Sequence, residues 1–205
     1  MSKRASGKKS TSEARTGEGH LFDIERFLEE KMNPVYRAHY ALWVHWWPLW
    51  RSVTGRGMLR KWDDCGLIQA GQIFLDYGCG TGDFTIPAAR KVSASGKVYA
   101  LDYFSRQLEI VKDRTEKAGL TNVETIQSSG VTGLPDRSVD VVWMCDVLHE
   151  IKERRAVLEE IHRILKDDGI LAVHDGMGER ALAFTAELFS PIEIDKKFLR
   201  FKKLS

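Results

Sequence analysis

From Gln72 onward, short apolar runs alternate with segments whose apolar positions recur every three or four residues. The runs predict strands at 73–77, 97–102, 123–127, 139–145 and 169–175. "KVYALD", "VDVVWMC" and "GILAVHD" are nearly continuous in apolar character, as parallel strands covered on both faces are. Helical spacing falls between the runs, near 83–92, 104–118, 152–165 and 178–189. Such alternation predicts an α/β domain, doubly wound on a mostly parallel sheet. The tail "IEIDKKFLRFKKL" breaks the rhythm, because only a tight turn parts its two runs. An antiparallel C-terminal hairpin should therefore close the sheet edge and bring the sheet to seven strands.

The chain before Gln72 reads differently. Residues 1–19 are mostly Ser, Lys, Gly, Thr and Glu, with almost nothing to bury, and predict a disordered tail. Leu21, Ile24, Phe27 and Leu28 follow helical spacing, and Asn33-Pro34 ends that segment. Then "VYRAHYALWVHWWPLWRSV" holds four of the six tryptophans. Tyr36, Tyr40, Trp43 and Trp47 lie three or four apart and make one helical stripe, which Pro48 prevents from continuing straight. No Asp or Glu occurs between Lys31 and Trp62, whereas Arg37, Arg51, Arg56 and Arg60 do. Three readings stand: an N-terminal helical cap over the sheet, a lid whose Tyr40, Trp43 and Trp47 line a substrate pocket, or an interfacial helix making peripheral membrane contact. A short helix around Met58–Cys65 follows, with Gly66 as its cap. The expected organisation is a tail over 1–19, an aromatic-rich cap or lid over 20–66, and a ligand-binding domain over 67–205.

Composition narrows the classes. A chain of 205 residues suits one domain plus an appendage and buries a core without staples. A net charge of +2 is too small to argue for a nucleic-acid partner. Cys65, Cys79 and Cys145 have neither disulfide-framework nor zinc spacing, so a reducing compartment and no metal are expected. No secretory apolar run follows the basic "MSKRASGKKS", and no run approaches the length that spans a bilayer. The cytoplasm is the expected address, and oligomeric state is left open.

The chemistry concentrates in "LDYGCGTGDF", which joins the first strand of the alternating region to a helix. Gly78, Gly80 and Gly82 let the backbone turn sharply and approach a ligand closely. No lysine stands in the turn, so a P-loop is excluded. A dinucleotide fingerprint needs glycine at position 83, where Asp83 stands instead. Asp76 and Asp83 beside a glycine turn suit a ligand carrying positive charge. Asp102, ending the second strand, is placed to accept the hydroxyls of a ribose, and Tyr103 and Phe104 offer a face to a purine. Ribose, purine, ammonium and no phosphate describe S-adenosylmethionine.

Residues 66–177 resemble the catalytic domain of the class I S-adenosylmethionine-dependent methyltransferases, in its small-molecule and quinone-type group. "LDYGCGTG" is similar to that family's first motif and "ALD" to its ribose-binding acid. "GLPDRSVDVVWMCDVLHEI" resembles its fourth-strand region and "LKDDGILAVHD" its fifth. The resemblance implies a Rossmann-like fold, S-adenosyl-L-methionine as cofactor and a small, apolar or aromatic methyl acceptor. It implies that Asp76 and Gly78 hold the methionine end, Asp102 the ribose and Tyr103 the adenine. One position departs: where the family has an acid after the third strand, this chain reads "QSSGVTGLP", which leaves the adenine to Ser129, Gly130 or the backbone around Val131.

Around these, Cys79, Gly80, Gly82 and Cys145 complete the expected cofactor-binding set, although both cysteines also read as core. His149 and Asp146 follow the fourth strand on its ligand side and are the candidate catalytic bases. His149 could equally hold the loop through a backbone hydrogen bond. His174 ends the fifth strand and is expected to face substrate, with Asp175 beside it as a loop-fixing partner.

Overall fold

Phe74 and Leu75 are neighbours on the first strand, and both side chains are wholly buried. Successive strand residues face opposite sides, so the sheet must be covered on both. The computed structural model describes residues 56–195 and 198–204, which lie in a unit beginning at Trp46. The expected tail, the helix near 21–31 and the stripe of Tyr40, Trp43 and Trp47 lie outside the described residues.

A leading helix over 56–64 precedes β1 (Ile73–Tyr77), α1 (Thr85–Val92), β2 (Lys97–Asp102), α2 (Ser105–Lys117) and β3 (Val123–Gln127). Next come β4 (Val139–Cys145), α3 (Arg154–Ile164) and β5 (Leu165–His174). A 3-10 turn (Gly178–Ala181) leads into the short α4 (Leu182–Thr185), followed by β6 (Phe189–Asp195) and β7 (Phe198–Lys203). The seven strands run in the order β3-β2-β1-β4-β5-β7-β6. Pairs from β3 to β5 are parallel, while β7 is antiparallel to both β5 and β6, so the α/β class and the closing hairpin are as expected.

Two boundaries differ from expectation. β5 begins at Leu165, not near 169, because Leu165 already pairs with Val139. Asp167 and Asp168 stand exposed before the ladder resumes at Ile170 opposite Val141. The helix expected over 178–189 is only a 3-10 turn plus one short helix. Phe189, which is 1% exposed, must enter the sheet opposite Lys203, and that pulls the chain out of helical geometry.

Alternation sorts the core into two layers. Leu75, Val142, Met144, Leu171 and Val173 face α3, which buries Val157, Leu158, Ile161 and Ile164 at helical spacing. Phe74, Val98, Val141, Trp143 and Ala172 face the other way, onto Trp62 of the leading helix and Ala88, Ala89 and Val92 of α1. Trp62 is 1% exposed and stands nearly edge-on to Trp143 at 5.0 Å, with Phe84 at 5.3 Å. The leading helix stops as expected: Gly66 takes φ +60°, and the Leu67 N–H donates back to the Trp62 carbonyl at 2.9 Å. No disulfide joins the three cysteines. Among the described residues, no helix is long and apolar enough to cross a membrane.

Because Trp62 closes this aromatic layer, Trp62→Ala should lower stability by about 3–5 kcal/mol, read as the shift in a urea unfolding curve. A loss under about 1 kcal/mol would mean that the layer does not depend on it.

Candidate functional site at the carboxyl edge of the sheet

Connections leave β1 toward β2 and leave β4 toward β5, in opposite directions, although β1 and β4 are neighbours. Ligands of open α/β sheets sit where the strand order reverses, outside the carboxyl ends. All three turn glycines lie there in the left-handed region: Gly78 at φ +75°, Gly80 at +52° and Gly82 at +85°. Only glycine adopts that conformation freely. Gly78 carries a second constraint, since a Cβ there would come within 2.6 Å of Val147 Cγ2.

The turn is tied to the end of β2. The N–H groups of Gly78 and Cys79 both donate to the Leu101 carbonyl, at 2.8 and 2.9 Å. Gly80 N–H donates to Asp102 Oδ2 at 2.8 Å, and Phe104 N–H to Asp102 Oδ1 at 2.9 Å. Asp102 is 8% exposed, and its carboxylate is oriented by these two backbone amides. Asp76 is buried too and accepts the Thr85 hydroxyl at 2.6 Å. Tyr103 and Phe104, the two residues after Asp102, pack edge to face at 5.0 Å.

Asp83 corrects the electrostatic expectation. Arg114 of α2 donates one Nη1 to Asp83 Oδ1 at 2.8 Å and to the Thr81 carbonyl at 2.6 Å. Its charge braces α1 to α2, which leaves Asp76 and Asp102 as the acids of the turn. Cys79 packs its thiol among Ala100, Leu108 and Val111, so it can meet a ligand only through backbone.

After β3 the loop is held by residues the sequence did not single out. Ser128, not Ser129, makes the internal bonds: its hydroxyl donates to the Val131 carbonyl and accepts the Gly130 N–H at 3.1 Å. Ser129 is exposed, Gly130 half-buried, and the Val131 side chain 74% exposed. Glu160 of α3 accepts both the amide and the hydroxyl of Thr132, at 2.8 and 2.6 Å, and binds Arg163 with two more hydrogen bonds at 2.8 Å. The pair Glu160 and Arg163 was visible as helical spacing, but nothing in sequence points to Thr132.

The loop after β4 and the end of β5 carry the remaining candidates, and the structure partners them in an unexpected way. Cys145 Sγ lies 3.7 Å from His174 Nδ1, while His149 Nδ1 lies 3.1 Å from Asp175 Oδ2. Asp175 lies just past the end of β5, and the imidazole it holds is that of His149, not that of its neighbour in sequence. Asp146 takes φ +52°, rare for a residue with a side chain, and donates its N–H to the His174 carbonyl at 2.7 Å. Cys145, Asp146 and His174 bring a thiol, a carboxylate and an imidazole within 4.8 Å of one another.

Residues 68–198 match the family model described as a methyltransferase domain. A demethylmenaquinone methyltransferase of Geobacillus sp. (strain WCH70) is 33% identical over 153 residues, which is 73% of this chain and 58% of that relative. The chain thus spans somewhat over half the length of that curated relative. A SAM-dependent methyltransferase structure from Aquifex aeolicus is 25% identical with a TM-score of 0.59, covering 72% of this chain and 87% of that one. The cyclase SpnF, at 21% identity and a TM-score of 0.60 over 75% and 72% of the two chains, shares the fold alone.

Arg163 holds the Glu160 carboxyl down to about 2 from its ordinary 4.5, with the Thr132 hydroxyl and amide adding to the effect. A folded-state value below the unfolded one stabilises the protein in full above pH 4.5, and that contribution is lost as pH falls through about 2. Glu160→Gln should therefore cost about 1–2 kcal/mol at neutral pH. The gap to wild type should close on acidification, as followed by urea unfolding at stepped pH. A gap independent of pH would rule out the ionised carboxylate as its source.

Proposed function

The chain belongs to the methyltransferase-domain family, and from that premise we propose that it is an S-adenosylmethionine-dependent methyltransferase acting on a small, apolar or aromatic acceptor of the quinone type. The observation that carries the reading is Asp102, fixed by the Gly80 and Phe104 amides beside three left-handed glycines at the switch point. The donor set fits the cofactor: a carboxylate oriented for a diol with aromatic rings following it in sequence, and an acid at the end of β1.

Bound S-adenosylmethionine supplies a methyl group on a positively charged sulfur. On this reading Asp102 takes the ribose hydroxyls, and Asp76 with the turn around Gly78, Gly80 and Gly82 takes the methionine end. Tyr103 lies along the adenine, with Ser129, Gly130 and the backbone at Val131 at its edge. His174 and Cys145 line the acceptor side, and His149 and Asp146 are the groups that could take a proton from it. Displacement at the methyl needs no protein nucleophile, so alignment of acceptor and methyl is the chain's main contribution. The missing acid after β3 favours one second reading, a binder of the same cofactor that does not turn it over.

Calorimetry should show binding of S-adenosylmethionine and its demethylated product, unaffected by a chelator. Asp102→Ala should weaken that binding by about 2–3 kcal/mol, since ribose hydroxyls lose their acceptor. Tight binding of NAD instead would end the reading. Sensitivity to the chelator would assign the grouping of Cys145, Asp146 and His174 to a metal, and absence of label transfer to reduced demethylmenaquinone would favour the non-catalytic binder.

Because the described domain reads as cofactor platform, acceptor choice is assigned to the aromatic segment of Tyr40, Trp43 and Trp47. Trp43→Ala or Trp47→Ala should raise the acceptor's KM well above any change for the cofactor. Loss of salt-sensitive sedimentation with anionic vesicles, with soluble acceptors unaffected, would instead support membrane contact. A lowered melting temperature alone would make the segment a structural cap.

A further inference from the structure

His149 follows β4 and Asp175 follows β5, so the topology brings two residues 26 positions apart to the same edge of the sheet as the glycine turn. The Asp175 side chain is 1% exposed, whereas that of His149 is 44% exposed. Both carboxylate oxygens are engaged. Oδ1 accepts the Met177 N–H at 2.9 Å, Oδ2 accepts the His149 N–H at 3.3 Å, and His149 Nδ1 lies 3.2 and 3.1 Å from the two. An ionised carboxylate only accepts, so Nδ1 must carry the hydrogen and Nε2 is left as a bare acceptor. The imidazole is 44% exposed, and Glu150 Oε1 stands 3.8 Å from Nε2, beyond hydrogen-bond range.

The loop that carries the ring is rigid. Arg154 donates to the carbonyls of Leu148 and His149 at 2.9 and 2.8 Å, and Glu150 N–H donates to Val147 at 3.0 Å. Val147 itself packs against Gly78, so the loop is pressed onto the cofactor turn two residues before His149. Among the described residues, the charged groups recorded against His149 are Asp175 just past β5, Glu150 from the same loop and Arg154 from α3.

We propose that His149 is the general base for the quinone-type acceptor in its reduced, hydroxyl-bearing form, with Asp175 as the positioning residue that fixes its tautomer. This rests on the methyltransferase reading above. The acceptor O–H bond breaks and its proton goes to His149 Nε2, leaving the electron pair on the ring oxygen. That pair, on the oxygen or delocalised to the adjacent ring carbon, forms the new bond to the methyl. The bond from methyl to sulfur breaks with its electrons on sulfur. After methylation at carbon the ring proton leaves to water as aromaticity returns, and His149 Nε2 gives its proton back to the ring oxygen. An acceptor already nucleophilic, such as a free amine, would give this arrangement nothing to do.

Two measurements test the pair. Long-range nitrogen–proton NMR on labelled protein should show His149 as the Nδ1–H tautomer at pH 8, and Asp175→Asn should shift it toward Nε2–H. With reduced demethylmenaquinone and labelled cofactor, His149→Gln and Asp175→Asn should each lower kcat by about 100-fold or more. Cofactor affinity by calorimetry should change less than about twofold, and the acid limb of the pH profile should vanish in His149→Gln. An Nε2–H tautomer in the wild type, or a His149→Gln variant with wild-type kcat and pH profile, overturns the pair. No cofactor binding by the wild type overturns the underlying reading instead. Binding without turnover of the hydroquinone overturns the acceptor, and the tautomer measurement then decides the pair alone.

Discussion

Two consecutive residues at the end of β2 satisfy four backbone amides from two different turns. The Leu101 carbonyl takes the Gly78 and Cys79 N–H groups, and the Asp102 carboxylate takes those of Gly80 and Phe104. A tight turn with left-handed glycines has few ways to pair its amides internally, and unpaired buried amides are costly. Tying the turn to β2 resolves that cost and holds both turns at a set distance. The site is therefore organised before any ligand arrives, which is where much of a binding penalty is otherwise incurred.

Other features follow from this tie. The turn descends into α1, where Thr85 donates to Asp76 and Asp83 reaches across to Arg114. Its outer side is bounded by Val147, whose methyl occupies the space a side chain at position 78 would need. The loop after β4 therefore packs only against a turn with glycine there. Backbone conformation and steric room select the same residue type, and that agreement couples the glycine turn to the loop bearing His149.

Much of this was legible in the chain. Four of the five parallel strands were readable as largely apolar runs of strand length, "VETIQ" by its place in the alternation with helices, and the hairpin because only a tight turn separates its halves. Gly78, Gly80, Gly82 and Asp102 were readable because a turn needing positive φ and an acid ending the next strand leave a local trace. Leu165 was read as helix because a residue that ends one element and begins another fits both patterns. The partners of side chains were not legible. Asp83 read as a free acid because Arg114 lies 31 positions away, and Glu160 lies 28 from the loop it holds. Asp175 read as the companion of its neighbour His174, because its partner His149 lies 26 positions away in sequence.

That last point bears on how the edge divides its work. β4 and β5 run side by side, with Cys145 opposite His174 in the ladder, so those two side chains share one face and meet. One residue further on, the chain leaves the ladder at Asp146, whose left-handed backbone redirects the loop over the glycine turn. Asp175, one residue past His174, is turned away from Cys145 and toward that returning loop. A single reversal of direction thus separates a thiol–imidazole pair from a carboxylate–imidazole pair only a few residues away. The first keeps a soft, half-buried contact at the carboxyl edge of the sheet. The second holds a buried negative charge against an exposed ring, the arrangement that leaves one imidazole nitrogen able to accept a proton.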